Sequence, residues 1–148
     1  MRLQGGIFEV PNTLTDPQLQ PLPGLEPFLA LMRMEGVEFY AVTDGSRSNA
    51  QNILQQAGLA LSFRGILSAK EQGCAITSPT LYEKAARRMG TTPKITAVFT
   101  ARPDLLFPLK EVGFQTVLVG GPFSPEDQVY ADLTLSNYQS MTQSGLDP

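Results

Sequence analysis

Apolar residues follow two different periods along the chain. Six short segments are typical of strands: residues 6–10, 37–43, 63–69, 94–100, 115–121 and 131–137. The first of them is an apolar run suited to a strand that is buried on both faces. Four other segments place apolar residues at helical spacing: residues 24–36, 46–58, 78–90 and 102–113. In the first of these, Leu25, Phe28, Leu29 and Met32 stand at i, i+3, i+4 and i+7, and Gly36 provides a stop. The pattern predicts strands that alternate with amphipathic helices.

This alternation indicates βαβ units, right-handed crossovers and a mostly parallel sheet, which together define an α/β fold. Ligands of such sheets bind outside the carboxyl ends of the strands. The loops of interest are therefore residues 11–16, 44–48, 68–78 and 100–104. We expect one domain over residues 1–138, a flexible tail at residues 139–148, and a kink or local irregularity at Pro108 in the last helix.

Composition narrows the classes of function. The 148 residues are 42% hydrophobic and 17% charged, as in a globular protein, and no apolar run is long enough to cross a bilayer. The first apolar run is too short for a signal peptide, so we expect a cytoplasmic protein. A net charge of −3 makes nucleic acid an improbable partner. The chain has no histidine and one cysteine, Cys74, which excludes Ser-His-Asp and Cys-His nucleophiles and the common zinc ligand sets.

Four stretches of the sequence carry a further signal, in this order: GIFEVPNTLTD, PLPGLEPFLALMRMEGVEFYAVTDGS, SPTLYEKAARRMGTTPKITAVFTARPDLLFPLKEVGFQTVLVGGP and ADLTLSNYQSM. Together they resemble the haloacid dehalogenase-like (HAD) hydrolase superfamily over nearly the whole chain. The resemblance implies a Rossmannoid three-layer sandwich with its site at the carboxyl ends of the strands. The connector between the first and second motifs is far too short for the usual cap domain, so a capless form is expected.

The resemblance also implies which residues stand at the catalytic positions. Glu9 occupies the place of the nucleophilic aspartate, Pro11 that of the acid/base aspartate and Asn12 that of the motif glycine, whereas Thr13 and Leu14 are kept. Thr43 matches the phosphate-binding hydroxyl of the second motif. The remaining positions are Ile76 at the third-motif lysine, with Pro79 kept, and Thr100 and Ala101 at the acidic pair of the fourth motif. Asp104 lies near that pair without matching a motif position.

These departures remove chemistry. The extra methylene of Glu9 moves the carboxylate oxygen by about 1 Å, and a misplacement of this size lowers a rate by roughly 10²-fold. Pro11 cannot exchange a proton, a step worth about 10²–10⁴-fold. No lysine neutralises the phosphoryl oxygens at the third motif. Glu9 has an alternative interpretation as a buried carboxylate that pairs with Lys70 or with backbone amides.

Two hypotheses follow for the function. In the preferred one the chain is a non-catalytic binding or regulatory module for a protein partner or a small anionic ligand, it has no cofactor, and it could form a homo-oligomer. Its candidate ligand-binding residues are Asn12, Thr13, Thr43, Asp44 and Arg47, although Asp44 or Ser46 is first of all a candidate helix N-cap. The alternative is a capless phosphatase that uses Glu9 as its catalytic carboxylate and binds Mg²⁺ through Glu9 together with Asp44 or Asp104, of which Asp104 is a weak candidate metal ligand.

Overall fold

The computed structural model describes residues 2–141, and within them helices separate the first five of six strands, whereas a loop without a helix joins the fifth to the sixth. The strands are β1 (Gly5–Val10), β2 (Glu38–Thr43), β3 (Ile66–Ser68), β4 (Thr96–Thr100), β5 (Gln115–Val119) and β6 (Leu133–Leu135). The α-helices are α1 (Leu25–Met34), α2 (Arg47–Gln56), α3 (Ala69–Gln72), α4 (Pro79–Met89) and α5 (Pro103–Glu111). Short 3-10 helices cover Ala60–Ser62, Pro93–Ile95 and Gln139–Met141.

The strands form one sheet in the order β3-β2-β1-β4-β5-β6, and every neighbouring pair is parallel. The predicted α/β fold with a parallel sheet is therefore confirmed. The sheet reverses its direction of growth at β1 and β4, because β2 and β3 lie on one side of β1 and β4 to β6 on the other. Such a switch point is where open α/β sheets form their binding crevice.

Helices cover both faces of the sheet, which gives three layers. Successive residues of β1 point to opposite faces. Phe8 belongs to the core that includes residues of α1 and α2, whereas Ile7 belongs to the core that includes residues of α4 and α5. Both side chains are fully buried. The three-layer sandwich that the sequence predicted is thus confirmed.

The connector from β1 to α1 takes the place where a cap domain would be inserted. It folds back on itself through an antiparallel bridge between Thr15 and Pro21 and a hydrogen bond from the Leu22 amide to the Leu14 carbonyl, 2.8 Å long. Leu14 is fully buried. The connector is closed by local contacts, and no cap domain is present among residues 2–141.

Two elements differ from the sequence prediction. The loop expected at residues 68–78 contains a short helix, α3, whose N-cap is Ser68: its hydroxyl accepts a hydrogen bond from the Glu71 amide. Helix α5 continues through Pro108 to Glu111. Of the tail predicted at residues 139–148, residues 139–141 form a 3-10 helix, and 142–148 lie outside the described residues.

No helix in the described part of the chain is long and apolar enough to span a bilayer.

Candidate functional site

Glu9 lies at the carboxyl end of β1, a central strand of the sheet, next to the carboxyl ends of β2 and β4. Ligands of parallel sheets bind at this end of the strands. Glu9 precedes the last residue of β1 and pairs in register with Val42, one residue before the end of β2. The register of β1 with β4 joins Phe8 to Phe99, so the next residues along these strands, Glu9 and Thr100, are neighbours. Glu9 is 2% exposed. A carboxylate this deeply buried requires partners, because desolvation disfavours its charge.

Both carboxylate oxygens of Glu9 have a partner within the chain. The Thr100 hydroxyl donates to Glu9 Oε1 at 2.7 Å, and Arg102 Nε donates to Glu9 Oε2 at 2.5 Å. Thr100 is fully buried, and the Arg102 side chain is 35% exposed. The carboxylate is thus held by one neutral and one charged donor, and the charged one is the stronger type of hydrogen bond.

Arg102 is positioned by its place at the start of α5. It is the N-cap residue of that helix, and its amide donates to the Thr100 hydroxyl at 3.1 Å, so Thr100 fixes both members of the ion pair. Its Nη2 lies 3.8 Å from Asp44 Oδ2. Burial lowers the pKa of the Arg102 guanidinium, but the hydrogen bond and the charge of Glu9 outweigh burial and raise that pKa above its usual value. The guanidinium therefore keeps its charge and links the two acids.

Beside this pair, the residue that the resemblance aligns with the third-motif lysine, Ile76, is part of the apolar core. Ile76 is buried and packs in the same core as Tyr82. The Tyr82 hydroxyl donates to the Ile76 carbonyl at 2.8 Å. Burial, followed by the nearby negative charge of Glu9, raises the pKa of the Tyr82 phenol well above its usual range. Next to the ion pair the chain therefore presents the neutral phenol of Tyr82 and the apolar side chain of Ile76.

The predicted ligand-binding residues differ in their burial and in the hydrogen bonds of their side chains. Thr13 is buried, and its hydroxyl donates to the Glu9 carbonyl at 2.7 Å, so this hydroxyl supports the backbone of β1. Thr43 is buried as well, and its hydroxyl accepts a hydrogen bond from the Gly45 amide at 3.2 Å. Asn12 and Arg47 are exposed. Thr13 thus contacts the backbone of Glu9, and Asp44 contacts the side chain of Arg102.

Helix α2 follows the loop after β2, residues 44–46, and begins with a side-chain cap. The Ser46 hydroxyl accepts a hydrogen bond from the Asn49 amide at 3.1 Å, so Ser46 rather than Asp44 is the N-cap. The Arg47 amide donates to Glu71 Oε2 at 2.8 Å. An internal carboxylate thus already binds the first amide of this helix, where an anionic ligand would otherwise be favoured.

The two candidate metal ligands lie in different surroundings. Glu9 is buried in the ion pair, whereas Asp104 is exposed in the first turn of α5 and lines a groove with Phe107 and Tyr130. Within residues 2–141 no three or more Asp, Glu, Cys or His side chains come together in a way that could hold a metal ion.

Sequence reasoning missed the principal partner of Glu9. The ion pair is with Arg102 and not with Lys70, because Arg102 follows the end of β4, the strand next to β1. The available signal was the basic residue inside the loop at residues 100–104, two positions after a strand end that adjoins β1. An arginine there reaches a neighbouring strand end readily, since its side chain spans several ångströms.

Comparison with known proteins identifies relatives of this fold. A family model described as haloacid dehalogenase-like hydrolase matches residues 12–100, more than half of the chain. A search of curated protein sequences finds no significant match.

Solved structures with the same fold are distant in sequence. CbbY from Rhodobacter sphaeroides in complex with phosphate superposes with a TM-score of 0.79 at 14% identity, covering 97% of this chain and 97% of that chain. The L-2-haloacid dehalogenase RSc1362 gives a TM-score of 0.81 at 14% identity, with coverages of 97% and 98%. A HAD family hydrolase from Deinococcus radiodurans with bound phosphate and sodium gives 0.69 at 21% identity; the match covers 82% of this chain and 57% of that one.

Proposed function

Since the chain belongs to the haloacid dehalogenase-like hydrolase family, we propose that it uses the fold of that family for binding or regulation and not for hydrolysis. The solved structures similar to it include a phosphate complex and a dehalogenase. Function depends on the site more than on the fold, so the proposal is argued from the side chains at the carboxyl edge of the sheet.

One observation carries the proposal: both oxygens of the Glu9 carboxylate are engaged by side chains of the chain itself. A carboxylate nucleophile needs an oxygen that is free and aligned with the reacting atom. Here Thr100 holds Oε1 and the Arg102 guanidinium holds Oε2. A nucleophilic attack by Glu9 would have to compete with these two contacts, one of which is an ion pair whose carboxylate side chain is 3% exposed.

The same geometry does not fit Mg²⁺, the ion that the alternative hypothesis requires. Mg²⁺ in phosphoryl-transfer sites is held by one or two carboxylates together with substrate phosphate oxygens. The Arg102 guanidinium already contacts both Glu9 and Asp44, and its charge repels a second cation. We therefore assign no catalytic step to a metal ion.

The neighbouring motif positions support the proposal independently. By the resemblance described in the sequence analysis, Pro11 stands at the acid/base position, where a proton must be exchanged. Ile76 stands at the lysine position and is buried against Tyr82. A small anionic ligand gains little here as well, because Arg102, the cation of the site, is already neutralised by Glu9 and approached by Asp44. A protein partner is the better candidate.

Turnover of 4-nitrophenyl phosphate and of a 2-haloacid, each with and without Mg²⁺, tests the proposal. The wild type and Glu9→Ala are expected to match the buffer blank. Glu38→Ala is the control, since it removes the acid of an exposed ion pair with Arg64 and lies at the first residue of β2, the opposite end of that strand from Thr43. Turnover that Glu9→Ala abolishes and Glu38→Ala preserves would overturn the proposal and favour the capless hydrolase. The double variant Glu9→Asp, Pro11→Asp tests how much chemistry the two aspartates restore.

A further inference from the structure

A groove on the surface beside the start of α5 combines aromatic rings with carboxylates. It has a volume of about 550 Å³ and is lined by Pro103, Asp104, Phe107, Glu126, Asp127 and Tyr130. Helix α5 follows β4 and the loop that carries Glu126 to Tyr130 follows β5, so the groove is built from two segments that start at the carboxyl edge of the sheet. Ligands of parallel sheets bind at this edge.

The rings in the groove are unusually exposed for this protein. Phe107 and Tyr130 are 46% and 47% exposed, and their ring centroids lie 4.8 Å apart. Val129, next to Tyr130, is 66% exposed. Helix α5 buries Leu105, Leu106 and Leu109 completely, so the outward position of Phe107 leaves a large apolar side chain uncovered. Contiguous exposed apolar surface of this kind marks interaction sites.

Hydrogen bonds hold the loop that presents these residues. The Thr116 hydroxyl donates to the Tyr130 carbonyl at 2.6 Å, and Lys110 Nζ lies 2.7 Å from Asp132 Oδ2. The Gln128 side-chain amide donates to the Phe123 carbonyl at 3.0 Å. The groove is therefore formed before any partner arrives, which lowers the entropic cost of binding.

The charge of the groove determines what it can accept. Asp104, Glu126 and Asp127 line it, and none of their carboxylates has a hydrogen bond or ion pair within residues 2–141. Lys110, which lies three residues after Phe107 on α5, is paired with Asp132. The three carboxylates do not converge in the described residues as a set that could hold a metal ion. The occupant must therefore be an extended cation that can also cover aromatic rings.

We propose that this groove docks an arginine-bearing basic segment of a protein partner. A guanidinium stacks on aromatic faces and pairs with carboxylates at the same time, which an ammonium does less well. The inference rests on the proposed binding function in that it names the partner's chemistry. Its test is separate, because peptide binding and phosphate turnover are measured independently.

The test is an NMR titration at low ionic strength with a short glycine-serine peptide that contains two arginines, and with the same peptide carrying citrulline in their place. We expect the arginine peptide to shift resonances of Phe107 and Tyr130, and the citrulline peptide to leave them unchanged. Binding should weaken between about 0.01 M and 0.15 M salt, because the Debye length falls from about 30 to 8 Å. The absence of any shift at millimolar peptide would overturn the proposal.

Matched variants separate the groove from general charge attraction. Phe107→Ala should weaken binding by about 3-fold or more, whereas Leu61→Ala, which removes a fully exposed apolar side chain elsewhere, should have no effect. The triple variant of Asp104→Asn, Glu126→Gln and Asp127→Asn should weaken binding far more than that of Glu26→Gln, Glu83→Gln and Glu111→Gln. Equal weakening by both would overturn the proposal in favour of general attraction. So would self-association in sedimentation that Phe107→Ala abolishes, since the occupant would then be a second copy of the chain.

Discussion

Removing the guanidinium of Arg102 perturbs the centre of the site most directly. In Arg102→Ala the Glu9 carboxylate, 3% exposed as a side chain, keeps one donor, the Thr100 hydroxyl at 2.7 Å. Its other oxygen then has neither a hydrogen bond nor a counter-charge. The reverse variant, Glu9→Ala, is less damaging, since the Arg102 side chain is 35% exposed and can turn to water and to Asp44.

The loss of stability expected for Arg102→Ala follows from the difference in exposure between the Arg102 and Glu9 side chains. Breaking a buried ion pair by removing one partner costs about 3–5 kcal/mol, and the partial exposure of Arg102 reduces this to about 2–4 kcal/mol in the free energy of unfolding. For a chain of this size such a loss lowers Tm by about 5–15 °C. The double variant of Glu9→Ala and Arg102→Ala should recover part of the loss, which gives a coupling energy of about 1.5 kcal/mol or more.

Urea unfolding of the two single variants and the double variant measures the coupling. The control cycle uses Glu38 and Arg64, an ion pair whose side chains are 48% and 53% exposed, where the coupling should stay below about 1 kcal/mol. The reasoning is refuted if Arg102→Ala is no more destabilising than Arg64→Ala, or if the two cycles give equal coupling.

Two further predictions concern stability. Burial keeps the pKa of the Tyr82 phenol raised in the folded state, so above pH about 10 the unfolded chain releases a proton that the folded chain keeps, and stability falls as pH rises. Tyr82→Phe should make this alkaline slope, measured by urea unfolding, shallower by about 1.4 kcal/mol per pH unit; an unchanged slope would contradict it. Gly24 has φ +80°, and an added Cβ would lie 2.6 Å from backbone atoms of Tyr138 and Gln139, so Gly24→Ala should lower the free energy of unfolding by about 3 kcal/mol or more. Gly36→Ala, at φ +88° with open space around it, should cost only about 1 kcal/mol, and equal losses would refute the steric argument.

The fold could be predicted because strand and helix periods stay distinct along the chain. The stripe of Leu25, Phe28, Leu29 and Met32 is buried in α1 as its spacing requires. Helix α3 escaped prediction because a single turn of four residues has no period, and its N-cap serine lies at a strand end. Pro108 left α5 continuous, since packing of Leu105 and Leu109 outweighs one missing amide.

The site could be predicted only in its location. Strand order brings Glu9, Thr43 and Thr100 to one edge, and the sequence pattern already placed them at strand ends. Which cation reaches Glu9 depends on the turn from β4 into α5, which makes Arg102 the N-cap. No periodicity reports the direction of a side chain in such a turn, so the sequence pattern points to Lys70 or backbone amides as partners of Glu9 and misses Arg102.

Titration of the protein with Mg²⁺ tests most directly whether the Arg102 guanidinium binds the Glu9 carboxylate in the place of a metal ion. Amide resonances of β1 and of the start of α5 report on this edge of the sheet. No saturable change is expected in the wild type at millimolar Mg²⁺, and none in Glu9→Gln. Saturable binding in the wild type that Glu9→Gln abolishes would show that the carboxylate is free to bind a metal ion, and would contradict the account.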